Sequence, residues 1–250
     1  MISIIQAIIL SVIQGITEWL PISSSGHLAI IQNFFNFQNL AFDVFLHLSS
    51  ILAVIFLFRK DISKLIKNPI KNKTYIFYML IAIIPIGIIG LLFKEEIEKT
   101  FSNLILIAIF FIISGIIVYL TKFTKEKKEK ISFFDSLFIG FLQIISILPG
   151  ISRSGTSISS GLFRKIKRDE AVKFSFLISI PIVLGASVIE FKDLALSNIN
   201  ILTLIISFIT TFIFSILTIK FLIKIIKKEK FYLFGLYNIF IGLLILIIKL

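Results

Sequence analysis

Apolar residues run through this chain in blocks, separated by short polar or charged stretches. A helix that crosses a bilayer needs about 20 predominantly apolar residues. Six blocks meet that length, at 40–58, 75–93, 104–121, 171–190, 201–220 and 231–249, and each predicts a transmembrane helix. Two further regions are apolar but interrupted. Region 1–35 is broken by Glu18, Pro21, Ser23, Ser24, Ser25, Gly26 and His27, and region 133–163 by Pro149, Gly150, Ser152, Arg153, Ser154 and Gly155. Non-helical backbone at membrane depth is tolerated only where protein buries it or a wet cavity lies beside it. Each broken region therefore predicts a re-entrant hairpin, two short helices around a polar turn. The whole pattern predicts an all-α polytopic membrane protein with one membrane domain over 1–250.

Composition supports the membrane class. The chain is 57% apolar and only 16% charged, with a mean hydropathy of +1.04, against about 25% charged residues in soluble domains. Met1 leads straight into the first block without a basic stretch or a small-residue cleavage site, so no cleavable signal is expected. There is no Cys, which excludes disulfides and thiolate chemistry, and two His are too few for a His-cluster zinc site. The net charge of +12 sits in loops between apolar blocks and lacks a basic recognition module, so nucleic acid is not an expected partner.

The charges predict orientation. Six Lys and Arg lie at 59–73, five at 122–130, five at 164–173 and five at 220–230, which is 21 of 26. By the positive-inside rule these stretches are cytoplasmic, and the poor loops at 94–100 and 191–200 lie outside. The six spans then alternate, hairpin 1–35 enters from the outside, and hairpin 133–163 enters from the inside.

The broken regions also match each other. Shifting the chain by 129 residues puts Gln14 on Gln143, Ile22 on Ile151, Ser23 on Ser152, Ser25 on Ser154 and Gly26 on Gly155. Phe45, Leu48, Ser50 and Ile51 then fall on Phe174, Leu177, Ser179 and Ile180. Each half, about 1–121 and about 133–250, holds one hairpin and three spans. Three is odd, so the second half is predicted to be inverted, as in transporter folds whose site lies between repeats.

The polar breaks carry the candidate chemistry. Gln14 and Glu18 are four apart and share a helix face. A carboxylate and an amide oxygen suit a hard cation such as Mg²⁺ or Ca²⁺. Pro21 ends the helix, and Ser23, Ser24, Ser25 and Gly26 can offer hydroxyls and N–H groups at a helix N-terminus, which favours anions. In the second break Arg153 is the only Lys or Arg between Lys130 and Arg164. Its guanidinium forks onto phosphate oxygens, among Gly150, Ser152, Ser154, Gly155 and Ser157. The bland alternatives are serines bonded to their own backbone and an arginine that merely neutralises Glu18. Asp43 and His47, four apart on span 40–58, read as solvated polar residues near the outer interface, with the other reading that they support the site's own residues from behind or line an entry path. Glu190 reads as a solvated residue at the end of its span.

The run Gln-Gly-x-Thr-Glu-x-Leu-Pro-x-Ser-Ser-Ser-Gly-His, followed far downstream by Pro-Gly-x-Ser-Arg-Ser-Gly, resembles the undecaprenyl-diphosphate phosphatase family of the bacitracin-resistance type. The resemblance covers essentially the whole chain. It implies metal-dependent hydrolysis of a C55 isoprenyl diphosphate to the monophosphate and phosphate. That reaction recycles the lipid carrier for cell-wall synthesis and confers bacitracin resistance. The enzyme would be multi-pass in the cell (inner) membrane, with its site open to the outer face and a homodimer left open. The family's acidic element falls on Gln14 and Glu18, its Ser and His on Ser24 and His27, and its arginine motif on Pro149 through Ser157.

In that light Glu18 and Gln14 would hold Mg²⁺ or Ca²⁺, and Arg153 would grip phosphate with Ser23, Ser25, Gly26, Gly150, Ser152, Ser154, Gly155 and Ser157. His27 would be the nucleophile, or the base that activates Ser24 or water. The chain departs from the family pattern at Ser157, where relatives carry Thr, and at Asn238, where relatives often carry Arg. The main rival is a carrier or flippase of isoprenyl phosphate lipid, which needs the same phosphate contacts. An acid-phosphatase-type enzyme needs a His downstream of the arginine, and none follows His47.

Overall fold

The computed structural model describes the backbone of residues 2–37, 39–195 and 199–249, and the same residues' side chains except 40, 189–195 and 249. Glu190, expected to be solvated, lies outside the described side chains. Among the described residues the chain is helical, with one isolated bridge between Lys128 and Ile166.

The first broken region folds as α1 (Ile4–Thr17) and α2 (Ser24–Phe35), which pack on each other. Then come α3 (Leu40–Leu57), α4 (Arg59–Lys67), α5 (Lys73–Leu92), α6 (Lys94–Thr100) and α7 (Leu104–Leu120). The second broken region folds as α8 (Phe133–Gln143) and α9 (Arg153–Phe163), again packed on each other, with a 3-10 turn at Ile144–Ile147 between them. The chain ends with α10 (Arg168–Ala195), α11 (Ile201–Lys227) and α12 (Leu233–Lys249).

Among the described residues, four helices are long and apolar enough to cross a membrane, over Lys73–Leu92, Leu104–Phe123, Arg168–Val188 and Ile201–Lys227. The other two expected spans differ from their sequence outline. Block 40–58 counts as a crossing only together with α4, from which it is bent by 77°. The break falls at the charged run Arg59-Lys60-Asp61, and none of α4 is buried. Block 231–249 yields 17 helical residues in α12, at the short limit for a span. Its first residues are spent in the turn that follows Glu229, whose φ is a left-handed 59°, and Phe231 plugs the core.

The burial pattern is that of a protein solvated by lipid. In α11, Thr203, Ser207, Thr211 and Ser215 are buried while Ile205, Ile209, Ile213 and Leu217 point out. Small polar residues let helices approach and hydrogen-bond where lipid supplies no hydrophobic drive. Thr211 Oγ1 donates to Ser11 O at 3.2 Å, and Ser49 Oγ donates to Phe208 O at 2.6 Å. α7 and α12 pack closely because Gly115 faces Gly235, where an added Cβ would lie 2.5 Å from Tyr119 N.

Around the site, α1 lies on α11 and α8 on α5, while α3 lies on α11 and α10, and α10 on α5. The four basic stretches gather at one end of this bundle. Arg168 pairs with Glu126 and with Glu229, Lys122 lies over Tyr232, and Lys173 lies over Tyr75.

Candidate active site

The turns of the two broken regions meet. α2 and α9 both begin there, and the first N–H groups of a helix have no partner inside it. Ser23 caps α2 with a φ of 64°, rare for a residue with a side chain, and its Oγ accepts from Gly26 N at 3.3 Å. The same Oγ accepts from Gly150 N at 3.1 Å, across to the other turn. Gly150 has a φ of 102°, and a Cβ there would lie 2.6 Å from Ile107 O. A Cβ on Gly26 would strike the Phe111 ring and come within 3.0 Å of Gly150 Cα. In the other direction Ser154 Oγ donates to Leu20 O at 3.0 Å and Ser152 Oγ at 3.4 Å. Sequence spacing could show that each break needs small residues; their contact across 127 positions is a product of the fold.

Glu18 sits at the centre, almost fully buried. Its Oε1 accepts from Arg153 Nη2. Its Oε2 accepts from Ser24 Oγ at 2.5 Å and from Gln14 Nε2 at 3.1 Å, and lies 2.9 Å from His47 Nδ1. The Arg153 guanidinium stands 5.9 Å from the Trp19 ring centre. Pairing with Glu18 spends only part of this fork: Arg153 Nη1 is buried without a hydrogen-bond partner. Buried donors are normally satisfied, so an arginine that only neutralised Glu18 would not leave one facing nothing. The vacant donor suits an anion.

His27 is engaged elsewhere. Its Nδ1 lies 2.7 Å from Ser23 O, and its Nε2 lies 2.8 Å from Tyr237 OH. A carbonyl only accepts, so Nδ1 carries the proton and Nε2 accepts from the tyrosine. The ring stacks on Tyr237 and meets Phe111 edge-on.

The other expected contacts divide by what they touch. Ser25 Oγ, partly exposed, lies 3.3 Å from Ser23 Oγ. Gly155 N donates to Ser152 Oγ at 3.0 Å. Ser157 Oγ donates to Arg153 O at 2.8 Å and lies 2.5 Å from Ser175 Oγ, so it braces the backbone beneath Arg153. Thr156 Oγ1 donates to Ser152 O at 2.7 Å. Asn238, fully buried, donates from Nδ2 to Pro21 O at 2.7 Å. In this chain that position ties α12 to the first turn.

Asp43 and His47 correct the sequence reading. Neither is a solvated interface residue: Asp43 is buried and accepts from Gln32 Nε2 at 2.6 Å, and His47 reaches Glu18. Their spacing was visible, but only the fold turns that face of α3 towards α1. Tyr237 and Ser114, whose Oγ accepts from Ser152 N at 3.1 Å, gave no sequence signal. Ser114 is a lone polar group in an apolar span, and Tyr237 is one aromatic residue of an apolar span beside Asn238.

Among the described residues, no three His, Cys, Asp or Glu side chains converge as a metal site on their own. At Glu18 the added donor is an amide. Gln14 Nε2 faces Glu18 while its Oε1 is buried with no partner, and a half-turn of the amide would set the oxygen beside Glu18 in the hard-oxygen role expected of it.

The chain matches the family described as bacitracin resistance protein BacA over residues 7–244. An undecaprenyl-diphosphatase of Methanobrevibacter smithii is 37% identical over 266 residues, covering 97% of this chain and 96% of the relative. One from Carboxydothermus hydrogenoformans is 37% identical over 254 residues, covering 98% and 97%. One from Methanococcus maripaludis is 41% identical over 213 residues, covering 82% and 86%.

Proposed function

The chain belongs to the bacitracin resistance protein BacA family, and on that premise we propose that it is an integral membrane undecaprenyl-diphosphatase. It releases phosphate from a C55 isoprenyl diphosphate, leaves the lipid monophosphate, and in doing so regenerates the lipid carrier and confers bacitracin resistance. The observation that carries this reading is the meeting of the two turns, which sets the Ser24 hydroxyl on the Glu18 carboxylate beside an unspent Arg153 donor.

Ser24 is the nucleophile in this account. Its Oγ attacks the terminal phosphorus while Glu18 takes the hydroxyl proton. The new bond is Oγ–P, the broken bond is that from phosphorus to the bridging oxygen, and the lipid monophosphate departs. Water then attacks the phosphoserine: the Oγ–P bond breaks, inorganic phosphate leaves, and Glu18 returns its proton to Ser24 Oγ. Arg153 and the free N–H groups at the starts of α2 and α9 receive the phosphate oxygens. His27 is better suited to positioning than to attack, because its Nε2 lone pair is held by Tyr237. A divalent cation, for which Glu18 and Gln14 are the natural holders, would add positive charge against the diphosphate.

The helix pairings support the inverted repeat. Exchanging the halves turns α1 on α11 into α8 on α5, and α3 on α11 into α10 on α5, while α3–α10 and α7–α12 map onto themselves. The gathered basic stretches support one cytoplasmic end, with the site opening to the other face.

The test is phosphate release from a long-chain prenyl diphosphate by the full chain in liposomes, with lipid movement measured in parallel. Phosphate release that EDTA abolishes is expected. Lipid movement without phosphate release would favour a carrier, and full activity in EDTA would remove the cation.

A further inference from the structure

Three heteroatoms crowd together at Glu18, and with Gln14 Nε2 facing in, no arrangement of protons suits them all. His47 Nδ1 lies 2.9 Å from Glu18 Oε2 and 2.5 Å from Gln14 Nε2, and Gln14 Nε2 lies 3.1 Å from Glu18 Oε2. The carboxylate oxygen only accepts and the amide nitrogen only donates. A His47 that accepts from Gln14 faces Glu18 lone pair to lone pair. A His47 that donates to Glu18 faces Gln14 donor to donor. No tautomer satisfies all three contacts. Meanwhile Gln14 Oε1 is buried without a partner.

A half-turn of the Gln14 amide removes the donor conflict. It replaces Nε2 with Oε1 and, with the His47 proton on its Nε2, directs three lone pairs, from Gln14, Glu18 and His47, at one point. Adjacent ligands of a small octahedral cation at about 2.1 Å stand about 3 Å apart, close to the spacings here.

We propose that His47 is the third protein ligand of the divalent cation, completing one face of its coordination shell with Gln14 Oε1 and Glu18 Oε2. This rests on the reading of Gln14 and Glu18 as cation holders given above. Imidazole nitrogen in the set favours a first-row divalent ion over Ca²⁺. Ser24 Oγ lies 2.5 Å from the same carboxylate oxygen, so a cation held there would stand close to the hydroxyl.

The chain has only two histidines, which makes the test clean. Mn²⁺ is titrated into the full detergent-solubilised chain, prepared without a histidine tag, and binding and electron spin-echo modulation are read directly. Modulation from a histidine nitrogen is expected, and ¹⁵N-histidine labelling should change it. His27→Gln should keep it, whereas His47→Gln should lose it and weaken Mn²⁺ by at least the roughly 10–100-fold that loss of an outer partner costs. The labelled wild-type measurement needs no variant to fold. Bound Mn²⁺ without a histidine nitrogen, or with a nitrogen that only His27→Gln removes, overturns the His47 ligand and leaves the Gln14–Glu18 cation standing. No Mn²⁺ binding by the wild-type chain overturns both.

Discussion

Two buried carboxylates organise this molecule, and they are finished differently. Asp135, at the start of α8, is fully satisfied. Its Oδ1 accepts from Lys128 Nζ at 2.8 Å and Arg164 Nε at 2.7 Å, and its Oδ2 accepts from Ser132 Oγ at 2.7 Å and Ser132 N at 3.1 Å. Glu18 has as many neighbours but leaves Arg153 Nη1 and Gln14 Oε1 unpaired, and its contacts with Gln14 and His47 conflict. A buried polar network that closes on itself rigidifies a fold, while one left open is costly to maintain. The first is a structural clamp that binds the loop at 124–132 to α8 and α9. The second is arranged for something that arrives.

Substitutions can break or sharpen that contrast. The largest effect is expected at the open cluster. Glu18→Gln or Arg153→Ala should lower phosphate release by ~10²–10³-fold or more, the scale of removing one transition-state charge contact. Glu18→Gln also leaves the buried Arg153 charge unpaired and should lower stability by about 3–5 kcal/mol, so its turnover is compared per folded molecule. Asp135→Asn should affect stability alone. It should cost about 2–3 kcal/mol in denaturation, less than the ~3–5 of a fully buried pair because Lys128 and Arg164 reach solvent. Its turnover per folded molecule should match wild type. Ser23→Ala strips the shared acceptor of Gly26 N and Gly150 N. It should cost about 1–3 kcal/mol in stability and slow turnover as well, since the two turns lose register. Tyr237→Phe removes the hydroxyl from His27 and should change kcat by ~10-fold or less. A loss as large as that of Glu18→Gln would return His27 to the chemistry.

The chain's pattern made much of this legible. The two broken regions were plain because Pro, Ser and Gly interrupt apolar runs that otherwise span. Glu18 and Arg153 stood out because a charge inside such a run is costly. Hidden were the relations that only folding creates. His47, with Asp43, looked like a solvated polar residue near the outer interface, since nothing local says which face of α3 meets α1. Ser157 looked like a substrate contact because it belongs to the arginine motif, yet its bond runs to backbone at Arg153, and Asn238, a departure from the family pattern, bonds to backbone at Pro21. The bend after α3 and the shortness of α12 depend on where charged and turn residues cut the apolar run, which hydropathy alone blurs.

The central claim is that Glu18 and Arg153, from turns 135 residues apart, form one catalytic unit. A double-mutant cycle on phosphate release tests it most directly, with Glu18→Gln, Arg153→Gln and the pair. Groups that act as a unit are grossly non-additive. The double variant should therefore be about as slow as the slower single one. Losses that multiply, with the double variant slower by the product of the two, would show independent groups and contradict the account.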